Sequence, residues 1–516
     1  MSDNCISLNP LTQSNTSAPT VLPSVNYTNQ DFDSLKTRLA LYVEQRFPND
    51  FTDFFEADLG VMLLESWAFC ADMLSFKMDQ IANELFIDTV SEIENAFRIA
   101  NQVGFQPTPP LAARALFSFT INSLLSTDMV IPAGFSVSTG SANGTINYEL
   151  FPADPLNNPL YDQDIIIPAG SLTNTAIIGL EGQTLSDQFN STGETNQAYV
   201  TLQSPVLFDS VRVDVDGTRW TQVDFFTDGQ PRQEYRVSFD SSYNVTIQFG
   251  DGVGGAIPSQ GSQIGITYRV GGGSRGNIVS GAIVVQSGFI VPGFGVTVPI
   301  TITNYTRGEF GYDGDGIEEI RRKLPAYNKV QDRAVTGEDY KILAELFVTA
   351  TNGQIGKATA VLRNSGCAGN VIDLYVLSLD GTDGLMISND LMKVELGNYF
   401  EEKKMISDYL CIKDGVVKYV DTVIDLNVNK FYRKFSEEIR QKVIQRINLF
   451  FSLNNWEYGK PLRGVEISQS LADIKEISSI NLTFTTSDID QVGDTVSAAY
   501  YEIIRPDSTN IVLTFE

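Results

Sequence analysis

A chain of 516 residues is too long for one ordinary core, so three or four domains are expected. Lys and Arg total 36 against 63 Asp and Glu, a formal charge of −27. That charge repels nucleic acid and anionic bilayers and leaves proteins with neutral or basic faces as the expected partners. Histidine is absent, which excludes Ser-His-Asp and Cys-His nucleophile systems and His-ligated zinc or iron, leaving carboxylate chemistry or none.

Residues 1–25 are rich in Ser, Thr, Asn and Pro and read as an extended arm, without the basic segment and short apolar run of a signal peptide. Cys5, Cys70, Cys367 and Cys411 lie far apart and form no C-x-x-C, so reduced structural thiols are expected.

Residues 26–112 carry a helical pattern. Thr28 is the expected cap of a first helix, with Asp31 three positions on and Tyr27 and Phe32 as a staple around it. That helix should end near Phe47, before Pro48. A second helix is expected over 57–86, where Leu63, Trp67, Cys70, Leu74, Met78, Ile81 and Leu85 form one apolar seam. Met62, Phe69, Met73 and Phe76 form another stripe, and the small residues Ala68, Ala71, Ser75 and Ala82 a flank. Asp58, Glu65, Asp72 and Asp79 recur every seven residues as an acidic line. A helix apolar over most of its circumference must be covered on most sides. It is the centre of its own domain or one member of a multi-chain bundle, and the few local residues favour the bundle. Glu65, Asp72, Lys77 and Asp79 interrupt the stretch and speak against a membrane span. A third helix over 90–103 should end at Gly104, followed by a stiff link through Pro107, Pro109 and Pro110.

Residues 113–307 read as all-β and sandwich-like, with short alternating runs at 115–121, 210–215, 235–239 and 244–249. Residues 308–350 read as a hinge and helical connector. Its glycines are Gly308, Gly311, Gly314 and Gly316, and its helices should break near Pro325 and again at 335–338, with Thr336 capping the second. Residues 351–415 and 416–516 read as two small α+β domains. Their strands are expected at 358–362, 371–377, 424–428, 479–485 and 500–504 and a helix at 391–402; Ser436 should cap a helix carrying Ile439, Val443, Ile447 and Phe450. The whole is thus multidomain α+β, helical at its N-terminus, β in the middle and α+β at its end.

Gly271, Gly273 and Gly276 satisfy G-x-G-x-x-G, but 277–286 reads as a strand where a dinucleotide site needs a helix, so a β turn is expected. Asp251, Asp313, Asp315 and Asp383 lie in Gly-rich turns that lack a full calcium-loop pattern. Among 63 acidic residues nothing singles out a glycosidase pair. Arg321, Arg322 and Lys323 beside Glu318 and Glu319 read as a solvated, ion-paired helix face. Neither metal nor cofactor is expected.

Three stretches, in this order along the chain, carry a resemblance. They are DLGVMLLESWAFCADML (58–74) within the helical opening, FGDGVGGAIP with ITYRVGGGSRGNI (249–258 and 266–278), and IEEIRRKLPAYNKVQDRAVTGEDYKIL (317–343). Together they resemble the baseplate J-like family, which includes wedge proteins of contractile phage tails and of related injection systems. The resemblance implies a structural, non-enzymatic wedge subunit in the tail baseplate of a virion, made in the host cytoplasm. Its partners would be a second copy of itself, another wedge protein joined through a helical bundle, neighbouring wedges, the hub and sheath-proximal proteins, with no nucleic acid and no membrane insertion. In that setting Gly250, Asp251, Gly252, Gly271, Gly272 and Gly273 shape structural turns, and Arg333, Thr336 and Asp339 fix the junction between the β and α+β regions. The other reading is a β-rich receptor-binding or carbohydrate-cleaving tail protein. Residues 150–197 and the N-terminal arm match nothing in the family.

Overall fold

The computed structural model describes residues 25, 27–28, 31–47, 59–122, 124–140, 145–155, 158–227, 229–290, 297–364, 370–381, 384–486 and 494–515. Residues 1–24 of the N-terminal arm, Pro48, Asp58, Cys367 and Asp383 lie outside them. The chain forms two compact units, one from residues 1–107 with 316–325 and one from 108–315 with 326–516.

The first unit holds three helices, α1 (Phe32–Arg46), α2 (Leu59–Asn83) and α3 (Ile93–Val103). Asp31, not Thr28, caps α1: its side chain accepts from the Ser34 amide at 2.9 Å while Ser34 answers in a reciprocal capping box. A carboxylate is the better acceptor for orphan amides at a helix N-terminus, and Thr28 is engaged with Asp79 instead. With the cap moved to Asp31, Tyr27 and Phe32 no longer occupy the staple positions, and Tyr27 is exposed. Gly104 ends α3 in the left-handed region, as its position after the apolar period predicts. Arg321 and Lys323 are buried, against the expected solvated face, and only Arg322 is exposed. The Arg321 guanidinium donates to the carbonyls of Ile87 (3.2 Å) and Val90 (2.9 Å), which lie beyond the end of α2. Burying that charge is compensated by these bonds and by Glu318.

The second unit is mainly β. A six-stranded antiparallel sheet has the order 284–290, 297–304, 114–121, 173–181, 147–152, 135–138. Alternation along Arg114–Ile121 turns Ala115, Phe117, Phe119 and Ile121 into one core. Two four-stranded sheets share a second core: Val213, Ile264, Ile266 and Tyr268 come from one, and Tyr235, Ile247 and Phe249 from the other. A buried ion pair, Arg269–Glu149 at 2.6 Å, ties the first of these to the six-stranded sheet, and Arg269 also donates to the carbonyls of Leu180 and Glu181. After Gly276 the chain runs irregularly to Val284 before the next strand, so the expected strand over 277–286 begins late.

Helix α4 (Ile317–Val330) runs through Pro325 without breaking. Pro325 lies in its third turn, where it removes one helix hydrogen bond and crowds the carbonyl four residues back, yet the helix continues past it to Val330. A five-stranded sheet built on Gly353–Asn364 and Asn370–Leu379 is packed by α5 (Gly337–Leu346) and α6 (Asp390–Glu401). A three-stranded sheet of Ile477–Thr486, Val416–Val428 and Glu502–Phe515 is packed by α7 (Ser436–Phe450) and α8 (Gly464–Leu471). Ile424, Leu426 and Val428 point into its core as the alternation predicts, joined there by Leu377 and Leu385 of the preceding sheet. Ser436 does not cap α7. It is the first helical residue, and no side-chain cap is made, because the preceding 430–435 segment already turns as a 3-10 helix.

Candidate interaction surface

α2 turns an unexpected face inward. Its buried residues are Val61, Ala68, Ser75 and Asn83, and the acidic line lies between them at Glu65, Asp72 and Asp79. The steps are 4-3-4-3-4-4, so small and acidic residues alternate along one seam. α1 runs antiparallel along it. Lys36 meets Glu65 at 2.6 Å, and Asp79 accepts from the amides of Tyr27 (3.1 Å) and Thr28 (2.9 Å). Asn83 exchanges hydrogen bonds with both backbone groups of Val25. Glu84 then holds the start of α3, accepting from the Ser91 amide at 3.0 Å and from Asn95 at 2.9 Å.

Both apolar stripes therefore point away from the unit. Met62, Leu63, Trp67, Phe69, Met73, Leu74, Phe76, Met78, Ile81 and Leu85 are each 52–69% exposed, and Cys70 lies among them, also exposed. α1 buries no residue of its own. Complete burial of a side chain of this size is worth about 1.5–3 kcal/mol relative to exposure. A contiguous face of this kind marks an interaction site. α2 is long and apolar enough to cross a bilayer. Its ion-paired Glu65 and hydrogen-bonded Asp79 are arranged instead as a polar seam beneath α1.

Sequence patterning reads all eleven stripe residues as apolar, and misses that the acidic line is the packed side; the structure leaves all eleven exposed, ten on α2 and Leu85 just past its end. The signal was the seven-residue spacing of acids against Ala68 and Ser75, with Lys36 as their counter-charge.

The turn residues fall into two groups. In the 249–255 turn a Cβ on Gly250 would run into the backbone of Gly254 and Gly255, so only glycine fits. Asp251 accepts from the amides of Val253 (2.9 Å) and Gly254 (2.8 Å) across Gly252, and these bonds hold its carboxyl below the usual range. In the second group Gly271 and Gly272 wrap the buried Glu181, whose carboxylate accepts from the Gly272 amide at 2.7 Å. Gly273 sits at φ +61 against Asp313. The turn is followed by a four-residue 3-10 segment, not an α-helix, so it lacks the helix N-terminus a dinucleotide needs.

Two glycines of the expected hinge, Gly308 and Gly311, lie against this same turn. Gly308 abuts the Gly276 carbonyl, Gly311 the Gly273 carbonyl, and Gly314 the Tyr243 ring. Asn277 donates to the carbonyls of Gly311 (3.0 Å) and Gly381 (2.9 Å), and Ser274 donates to Asp313 at 2.7 Å. Gly316 begins the short segment that belongs to the helical unit. At the junction, Thr336 and Asp339 form a capping box (2.7 and 3.2 Å). Arg333 is not part of it: its guanidinium donates to Gln331 at 3.2 Å.

Asp313 and Asp315 are likewise engaged, Asp315 accepting from the Thr108 amide at 2.8 Å and the Tyr312 hydroxyl at 2.7 Å. Among the described residues no three His, Cys, Asp or Glu side chains converge as a metal site would require.

Comparison with known proteins bears on the helical unit. Residues 31–101 match the family described as "Bacteriophage baseplate protein, N-terminal domain", from the capping residue of α1 to the last turn of α3. No curated protein matches the chain. Among solved structures, the chain is similar to one from the baseplate of the anti-feeding prophage, at 12% identity and a TM-score of 0.35, covering 91% of this chain and 90% of that one. It is also similar to one from the TssK-TssF-TssG baseplate subcomplex of the type VI secretion system, at 9% identity and a TM-score of 0.31, covering 69% and 96%.

Proposed function

We propose that this tail-baseplate protein is a structural wedge subunit of a contractile tail, with α2 as its assembly helix. The observation that carries the reading is the open double stripe of α2, set within the segment that matches a baseplate domain. Two copies of the chain and a third wedge protein would close the stripes into a helical bundle, each knob filling a hole on a facing helix. The second unit would then stand as a β spacer ending in an α+β region that meets the neighbouring wedge, so that wedges join into a ring around the hub. This is the role of the baseplate J-like family, and it calls for no catalysis.

In this reading the 308–316 link passes the contraction trigger by bending. Bending there requires the Asn277 and Ser274 bonds to open, so the two states of the particle should differ in those contacts. If both states keep them, along with one orientation of the β and α+β regions, the hinge is wrong.

The other class of function is a receptor-binding or carbohydrate-cleaving tail protein. Co-expression with the proteins encoded beside this chain separates the two. A stoichiometric complex lost in Trp67→Asp or Leu74→Asp supports the wedge. Normal assembly of both variants, or hydrolysis of capsule or peptidoglycan abolished by one Asp or Glu substitution, refutes it.

A further inference from the structure

The segment 430–435, Lys-Phe-Tyr-Arg-Lys-Phe, forms a 3-10 turn between the strand Val416–Val428 and α7. Both flanks are anchored. The strand is paired on both edges, and α7 buries Ile439, Val443 and Ile447. Asn429 holds the turn itself, accepting from the Phe431 amide at 3.1 Å through its side chain and from the Tyr432 amide at 2.9 Å through its carbonyl. The side chains on this anchored turn are nonetheless open. Phe431 is 88% exposed, Phe435 54% and Tyr432 38%.

Charge sets the segment apart from the neighbouring helix. On α7 each cation has an acid of its own: Arg440 is 3.9 Å from Glu437, Lys442 3.2 Å from Glu476, and Arg446 3.5 Å from Asp473. Among the described residues Lys430, Arg433 and Lys434 form no ion pair, and the segment contains no acid. Lys475 adds a further cation beside it, next to Glu476, whose carbonyl receives the Asn429 amide at 3.4 Å.

We infer that 430–435 is a docking element for an acidic surface on a second copy of this chain. The inference rests on the wedge reading and names the residues of its ring contact. Two copies that each carry −27 repel as they approach, so a contact between them needs a place where the sign of the charge inverts. This turn is such a place. Its three aromatics supply apolar area at low side-chain entropy cost, and Arg433 with Phe431 and Tyr432 is the composition of an interface anchor. A bilayer is the poorer occupant. Glu437 and Glu438 come directly after the turn and are exposed, and a uniformly anionic surface would meet them together with the cations. A protein surface sets its carboxylates opposite the cations alone.

The test is self-association of the full-length chain by sedimentation, at low and high salt. The wild type should associate, more weakly as salt rises. The triple variant Lys430→Glu, Arg433→Glu, Lys434→Glu should associate about tenfold more weakly at low salt and lose the salt dependence. Phe431→Ser, which keeps every charge, should weaken association several-fold and keep the salt dependence. A wild type that stays monomeric, or variants that associate like the wild type, overturns the inference. So does binding of phosphatidylserine vesicles or single-stranded DNA that the triple variant abolishes while self-association stands unchanged. If the Trp67-dependent complex still forms in any of those cases, the wedge reading survives and only this assignment falls. If that complex never forms, the reading itself falls and the inference with it.

Discussion

The helical unit and the β-rich unit use the same side chains in opposite senses. In the six-stranded sheet Phe117 and Phe119 face inward and are fully buried. In α2, Phe69, Trp67 and Phe76 face outward, while Glu65, Ala68, Ser75 and Asp79 face the partner helix. The β unit spends its apolar surface on its own fold. In the helical unit α1 meets α2 through a narrow polar seam, and the apolar surface of α2 is left for something else. Patterning alone reports amphipathicity; whether the chain itself covers a given face depends on how much chain lies nearby to cover it.

The largest expected effect sharpens that contrast directly. Phe117→Ala should destabilise the second unit by about 3–5 kcal/mol in urea unfolding of the lone chain. Trp67→Asp should change the lone chain by no more than about 0.5 kcal/mol, the range of an exposed site, yet abolish the complex with partner proteins. Comparable losses for the two variants in the lone chain would break the contrast, because α2 would then be packed by its own unit.

A second pair of variants compares the charged contacts. Removing one partner of the buried Arg269–Glu149 pair, as in Glu149→Ala, should cost about 3–5 kcal/mol by leaving the guanidinium uncompensated. Lys36→Ala breaks a pair that is about a third exposed on each side, and after solvent screening should cost less than about 1 kcal/mol. If Lys36→Ala proves the costlier change, the polar seam contributes more to the helical unit than its exposure allows.

How much of this was legible in the sequence obeys the same division. Strands whose residues alternate appear at 115–121 and 424–428, where the pattern puts them, because period-two burial needs only a sheet and a core; the second strand begins earlier than read, at Val416. The Gly104 and Thr336 caps are local events and were readable for that reason. Arg321 was not: its burial depends on the carbonyls of Ile87 and Val90, more than two hundred residues away in the chain. The joining of the 271–277 turn to the 308–314 link through Asn277 and Ser274 is equally non-local. Each glycine run reads as a turn by itself, and nothing in either run says that it packs on the other. The stripes of α2 were legible as apolar; their exposure was not, since Asp79 and Asn83 had first to be seen holding Val25, Tyr27 and Thr28.

The local caps supply a smaller test. Thr336→Ala should cost about 1 kcal/mol, by losing the acceptor for the Asp339 amide at the start of α5. Arg333→Ala should cost less, because Arg333 reaches only the exposed Gln331. A reversed order would place Arg333 in the junction after all.

The smallest expected effect compares two sheltered carboxylates within the second unit. Burial pushes the Glu181 carboxyl above its usual range, against the Gly272 amide and Arg269, and one of its oxygens has no hydrogen-bond partner. The folded state therefore holds this proton more tightly than the unfolded chain does. What the group contributes to stability is fully present below the unfolded carboxylate range and is lost as pH rises through the folded pKa. Glu457 lies the other way. Burial opposes its ionisation too, but the ammonium groups of Lys357 and Lys341 outweigh burial and hold its carboxyl below the usual range. Its contribution is present above the unfolded range and is lost as pH falls through the folded pKa. Unfolding of the two Gln variants should therefore diverge from wild type in opposite directions as pH rises from about 4 to 8, across and above the ordinary carboxylate range. Glu181→Gln, which keeps an oxygen for the Gly272 amide, should gain relative to wild type over that interval, and Glu457→Gln should lose. Parallel pH profiles for Glu181→Gln and wild type would mean that the glycine turn leaves that carboxylate solvated, and that the close packing of Gly271 and Gly272 around it does not persist in solution.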